Sequence, residues 1–171
     1  MKNNKNLEKR MYFLVPYNIS EIAKGIQAGH AALEYAHEYK DDPEFIDFIE
    51  NHKTWIILNG GTTNNRRELG TGIPQGTLNQ CLDQLSANNI KYSIFEEPDL
   101  NDALTAICLI VDERVFNRKD YPDFYDWVGE KEIFVSADNT YQWNILKESY
   151  INEVGKDIAF LKELLNTKKL A

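Results

Sequence analysis

The sequence predicts an α/β domain carrying an aromatic-rich helical extension, and three observations predict it. Short apolar runs alternate with segments of helical period between Met11 and Val111. Clusters of glycine, proline and asparagine stand wherever the period changes. From Asp112 onward the alternation gives way to crowded aromatic residues and one long amphipathic stretch.

Met11 to Pro16 is short, continuously apolar and closed by proline, which suits a strand covered on both faces. Asn18, with Glu21 three residues on, resembles a capping box, and Tyr17 and Ile22 stand where a hydrophobic staple closes a helix entry. The helix is therefore expected to begin at about Asn18. At 100° per residue Ile22, Ile26, Gly29, Leu33 and Ala36 form one stripe, the side expected to face a core. Beside it runs a strip of small residues, Gly25, Gly29, Ala32 and Ala36. Two glycines inside a helix cost roughly 1 kcal/mol each against alanine, so a close approach by a neighbouring backbone or a ligand is expected there. Ala23, Gln27, His30 and Glu34 share the polar edge, and the helix start just beyond a strand favours an anion near Asn18 to Ser20.

Lys40 to Pro43 breaks this pattern, and Glu44 to His52 offers a short second helix. Thr54 to Asn59 reads as the second strand. Gly60 to Gly76, with five glycines and the pair Arg66 and Arg67, is a loop long enough to be functional or mobile, and no Walker pattern ends it. Thr77, a cap by type, opens a helix to Asn88. Tyr92 to Glu96 and Leu104 to Val111 are two further strands, able to pair antiparallel across Glu97 to Asp102. Trp143 to about Lys168 then reads as one long amphipathic helix, covering the sheet or forming an oligomer contact.

Composition narrows the function. The 171 residues, 43% hydrophobic and 12% aromatic, supply one full core with an appendage. Nowhere do 18 apolar residues run together, and the charged first ten residues lack the apolar segment of a signal peptide; a cytoplasmic protein without a membrane partner is expected. Cys81 and Cys108, in apolar contexts without CxxC spacing, are expected as buried thiols, and His30 and His37 lack a metal-binding pattern, so neither metal nor cofactor is expected. A net charge of −8 disfavours a large polyanion relative to a small ligand in a pocket. Polar candidates gather in three places: Gln27 with His30, the Arg66-Arg67 loop, and Glu96-Glu97-Pro98-Asp99 leading to Asn101 and Thr105. Adjacent carboxylates act as acid and base when burial splits their affinities for the proton.

Lys24-Gly-Ile-Gln-Ala-Gly-His-Ala-Ala32 after a Tyr-Phe-Leu-Val strand, together with Phe95-Glu-Glu-Pro-Asp-Leu-Asn-Asp-Ala-Leu-Thr-Ala-Ile107, resembles the type-II peptidyl-tRNA hydrolase family, above all its hydrolase-like branch in phages and some bacteria. The similarity covers about residues 11 to 112 and leaves 113 to 171 as a C-terminal extension. It implies a small mixed four-stranded sheet between helices and a homo-oligomer, a dimer or tetramer. The family's lysine falls on Ala23, with Lys24 beside it and directed elsewhere on the helix. The family's Asp-Ala-Gly-Arg-Thr-Gln segment falls on Glu97 to Asp102, so its aspartate becomes Glu97, its arginine Leu100 and its threonine Asn101. Without that cation and hydroxyl the resemblance implies retained binding and lost hydrolysis.

In size and style the chain also resembles phage sponges against cyclic-nucleotide immunity, the anti-CBASS proteins. The expectation is sequestration of a small nucleotide, a cyclic dinucleotide, inside a host cytoplasm. Arg66, Arg67 and the helix start near Asn18 would meet phosphates, aromatic residues of the extension would stack bases, and Gln27, His30, Asp99 and Asn101 would read base edges or riboses, with Ser20, Lys24, Glu97 and Thr105 also expected to bind the ligand. The alternative is hydrolysis of peptidyl-tRNA, with tRNA as partner.

Overall fold

The computed structural model describes residues 7–171; residues 1–6, on which part of the signal-peptide reading falls, lie outside them. Four strands, β1 (Lys9–Pro16), β2 (Thr54–Gly61), β3 (Ser93–Glu97) and β4 (Ala103–Asp112), form one sheet in the order β2-β1-β4-β3. β1 and β2 run parallel, Arg10 opposite Thr54 and Val15 opposite Asn59, whereas β3 and β4 run antiparallel. The sheet is therefore mixed and flanked by helices. Its central strands are apolar because both faces are covered: Phe13, Leu14, Ile107 and Cys108 are fully buried.

A parallel pair needs a crossover, and α1 (Glu21–Glu38) with α2 (Pro43–Asp47) and the wide π-helical turn Phe48–His52 supplies it. Ala28, Ala31, Tyr35, Phe45 and Phe48 pack there against Met11, Phe13, Val15, Ala106 and Cys108. Burial pushes the Cys108 thiol far up, and both cysteines are free and buried. α3 (Thr77–Ala87) packs on β1 and β2 with Leu78, Cys81 and Leu85 buried. Gly61, at φ +90°, ends β2 where a Cβ would stand 1.9 Å from the Thr77 hydroxyl, so only glycine fits.

α1 departs from its expected setting in three respects. Its cap is Ser20, whose hydroxyl accepts the Ala23 N–H, so neither the Asn18 capping box nor the Tyr17–Ile22 staple forms; Tyr17 and Ile22 are exposed. The stripe expected inside is outside, with Ile22, Ile26 and Leu33 at 78%, 53% and 69% exposure. Lys24, Gln27, Ala28, Ala31 and Tyr35 face the sheet instead. A Cβ on Gly25 or Gly29 would meet nothing within 4 Å, so among the described residues no neighbouring backbone uses the room they leave. Thr77 is likewise not the cap of α3: that residue is Gly76, and the Thr77 hydroxyl bridges from the Thr62 N–H to the Gly60 carbonyl.

The chain divides into two compact units, one holding Glu8–Val111 with Lys168–Ala171 and the other built on Asp112–Thr167. In the second, α4 (Glu113–Phe116), α5 (Phe124–Glu130), α6 (Thr140–Val154) and α7 (Lys156–Asn166) follow one another. The single helix expected from Trp143 to about Lys168 is thus two, because Gly155 takes φ +96°, outside any helix. The first starts early, at Thr140, since Asn139 caps it through the Gln142 N–H. The aromatic residues build this unit's own core of Trp127, Val128, Leu146 and Tyr150, with Phe124 and Trp143 packed against it. Lys162 is buried, its ammonium donating to the Tyr121 carbonyl at 2.7 Å and to Asp123 at 3.1 Å. Among the described residues no helix is long and apolar enough to cross a membrane.

Two carboxylates tie α2 down. Asp42 caps it and pairs with Lys91, while Asp47 pairs with Lys9 and accepts from Asn51. Hydrogen bonds from Lys9 and then Asn51 hold the Asp47 carboxyl below its ordinary value of 3.8. A carboxyl depressed by folding adds stability that is present above its unfolded value and lost as pH falls through the folded one. Asp47→Asn should therefore flatten the fall in urea midpoint between about pH 6 and pH 3. Parallel curves for parent and variant would show that the Lys9 pair adds nothing.

Candidate functional site

One edge of the sheet collects the polar residues. The carboxyl ends of β1 and β2 meet there, the Tyr17 N–H donating to the Gly61 carbonyl at 3.0 Å. The start of β4 joins them, its Leu104 carbonyl accepting the Thr63 hydroxyl at 2.6 Å and the preceding Asn101 carbonyl accepting the Arg66 N–H at 3.1 Å. β3 ends at the same edge because it runs antiparallel to β4.

A relay of three side chains lies at its centre. Thr105, 1% exposed, donates its hydroxyl to Gln27 Oε1 at 2.6 Å, with the Phe95 carbonyl further off at 3.2 Å. One hydroxyl carries one proton, and the shorter contact takes it. With Gln27 Oε1 engaged, the amide nitrogen points the other way and donates to Glu97 Oε2 at 2.8 Å. A buried hydroxyl thus fixes a buried amide, and the amide fixes one half-buried carboxylate.

Lys24 stands one turn before Gln27 on the sheet-facing side of α1. It is 8% exposed and its ammonium pairs at 2.9 Å with Glu21, which lies out in solvent. The expectation that Lys24 is directed away is corrected: the three-residue step keeps it on the face of Gln27. The His30 imidazole stacks on Phe95, centroids 4.4 Å apart and planes 19° from parallel.

The other candidates sit on the rim or apart from the relay. Arg66 is well exposed and bridges Glu96 at 3.2 Å and Asp102 at 3.3 Å. Arg67 is exposed, its backbone N–H held by Asn65. Asp99 is exposed in the 3-10 turn Pro98–Leu100, and Asn101 follows at φ 56°. Asn18 is exposed in the β1–α1 turn, and Ser20 spends its hydroxyl oxygen on the helix cap. Lys24, Gln27, Glu97 and Thr105 therefore gather around one stretch of α1, His30 flanks them on Phe95, and Arg66 reaches the rim through carboxylates.

Sequence reasoning missed the supports of the long loop. Asn64 is buried, with its N–H on Asn79 Oδ1 at 2.9 Å and its own side-chain oxygen accepting the Gly76 N–H. Asn79 lies on the buried face of α3 beside Leu78, a polar residue among apolar ones, and that mismatch was the available signal. Asp102, the second carboxylate on Arg66, was equally unmarked.

Chemically, the edge offers an immobilised carboxylate that accepts hydrogen bonds or a proton, an ammonium on the same helix face, and an aromatic flank. Carboxylates outnumber cations around it: Glu21, Glu96, Glu97, Asp99 and Asp102 against Lys24, Arg66 and Arg67. Removing the origin of the relay tests it. Thr105→Val keeps the volume but leaves Gln27 Oε1 unpaired in a buried place, a loss of about 1–3 kcal/mol in urea unfolding, which Thr105→Ser should largely avoid. Equal losses for both variants would mean that packing, not the hydroxyl, matters at this position.

Comparison with known proteins adds no family name: no family model matches the chain, and no curated protein matches it.

Proposed function

We propose that the sheet edge holds the ribose end of a nucleotide and hydrolyses an acyl ester carried on it, the chemistry by which tRNA is released from peptidyl-tRNA. The observation that carries this reading is the relay Thr105–Gln27–Glu97 with Lys24 on the same buried face of α1. A carboxylate whose orientation is fixed by a buried amide is placed to act as a general base. Glu97 takes a proton from water, and the water oxygen attacks the ester carbonyl carbon. Charge developing on the carbonyl oxygen is stabilised by the Lys24 ammonium. The bond from carbonyl carbon to ribose oxygen then breaks, and that oxygen receives the proton from Glu97. A carboxylic acid and a free ribose hydroxyl leave.

This reading replaces the sequence expectation of binding without hydrolysis as the leading one. That expectation rested on a missing cation and hydroxyl; Lys24 places an ammonium on the face of Gln27, and the Thr105 hydroxyl acts through the Gln27 amide.

Sequestration of a cyclic dinucleotide stands as the second reading, favoured by the stacked His30–Phe95 pair, a ring surface suited to a nucleobase. One assay separates the two. The chain is incubated with peptidyl-tRNA and with a panel of cyclic dinucleotides, and bound ligand and products are followed. Hydrolysis predicts free tRNA at an enzymatic rate, with Glu97→Gln slowing release by roughly 10²–10⁴-fold while binding persists. A tight complex that returns intact cyclic dinucleotide on denaturation, with peptidyl-tRNA left whole, would establish sequestration instead.

A further inference from the structure

The two outer strands of the sheet are protected in different ways. β3 has five residues, ends in Glu96 and Glu97, and is broken by a bulge after Phe95. Shortness, charge and a bulge each blunt an edge against pairing with another strand. β2 is longer and uncharged: its eight residues, Thr54-Trp-Ile-Ile-Leu-Asn-Gly-Gly61, carry no charge and no proline, and its register against β1 shifts only past Asn59, at Gly60. An uncharged run of β-branched and aromatic residues on an open edge is a template for strand addition.

A segment of this chain is seated on that edge. The Asn59 N–H donates to the Lys169 carbonyl at 2.8 Å, and the Ala171 N–H donates to the Ile57 carbonyl at 3.0 Å. These bonds flank an antiparallel pair of Leu58 with Leu170. The strap is short and lightly held. It spans only Ile57 to Asn59, Leu170 is 76% exposed, and Ala171 alone packs against the sheet core. The four residues Lys168–Ala171 thus form part of the sheet unit, although the residues just before them, up to Thr167, form part of the other. Few contacts and exposed hydrogen bonds place such a segment at the low-stability end of a fold.

We propose that Lys168–Ala171 is a removable edge guard, and that when it leaves, the bared edge of β2 pairs antiparallel with β2 of a second copy of this chain. The seated strap demonstrates that the edge accepts an antiparallel strand at Ile57 to Asn59. The second copy is the fitting occupant because a two-fold antiparallel pairing sets the same uncharged residues against each other with no like charges opposed. Two four-stranded sheets would join into one of eight strands. The guard governs self-association and takes no part in the chemistry proposed at Glu97.

The test measures mass in solution by sedimentation velocity across protein concentration, with circular dichroism as the check on folding. Removal of residues 168–171 should double the parental mass as concentration rises. Ala171→Pro, which lacks the N–H given to Ile57, should move in the same direction, and it decides the matter should the shortened chain not fold. Because the Ile57 carbonyl points outward, its N–H does too. Ile57→Pro in the guardless chain therefore removes an outward donor and should restore the parental mass. A folded guardless chain of unchanged mass, or a doubled mass that survives Ile57→Pro, would overturn the proposal.

Discussion

The rotation of α1 about its own axis on the sheet decides most of what this structure can do. Small residues, Ala28 and Ala31, let the helix lie close on β1 and β4, and Tyr35 fills the space further along. That setting brings Lys24 and Gln27 inward at the end where strands finish, and it would be prohibitive without polar partners there. Thr105 and Glu97 provide them for Gln27, and Glu21 provides one for Lys24. The same rotation lays His30 on Phe95 and turns Ile22, Ile26 and Leu33 outward. Stability and site thus draw on one set of hydrogen bonds.

The strands were legible in the sequence and the helix face was not, for a physical reason. Continuous apolar runs such as Tyr12 to Val15 have one stable environment, a strand covered on both sides, and the structure puts them there. On α1 the periodicity of large aliphatic residues competes with a face of alanines and hydrogen-bonding groups. Hydropathy favours the first face; close approach and a waiting Thr105 favour the second, and nothing within positions 21 to 38 records what waits on β4. The break at Gly155 escaped for a similar reason: a lone glycine fits an amphipathic helix until its backbone dihedral is known. Gln27, Glu97 and Thr105 were readable as candidates one by one. Their connection was not, because 70 or more residues of sequence separate Gln27 from each of its partners.

Electrostatics around the edge follow from how the cations are spent. Lys24, Arg66, Lys9 and Lys91 each sit against carboxylates, which suits a chain of net charge −8. Exposed pairs such as Arg66 with Glu96 add little to stability. They do settle which carboxylates remain open to a ligand, and Glu97, bound only through a neutral amide among its described partners, is the one held in place without a counter-charge.

The loop after β2 carries a last consequence. Asn64 and Asn79 stitch its root to α3, and Arg66 clips its first turn to the rim, so the glycine-punctuated tip around Gly70 and Gly72 is the stretch with least holding it. A single backbone cut at that tip would leave two fragments still interlocked by the sheet and the asparagine pair. The molecule has, in effect, a natural seam at which it can be opened, relabelled or extended while its architecture stays closed.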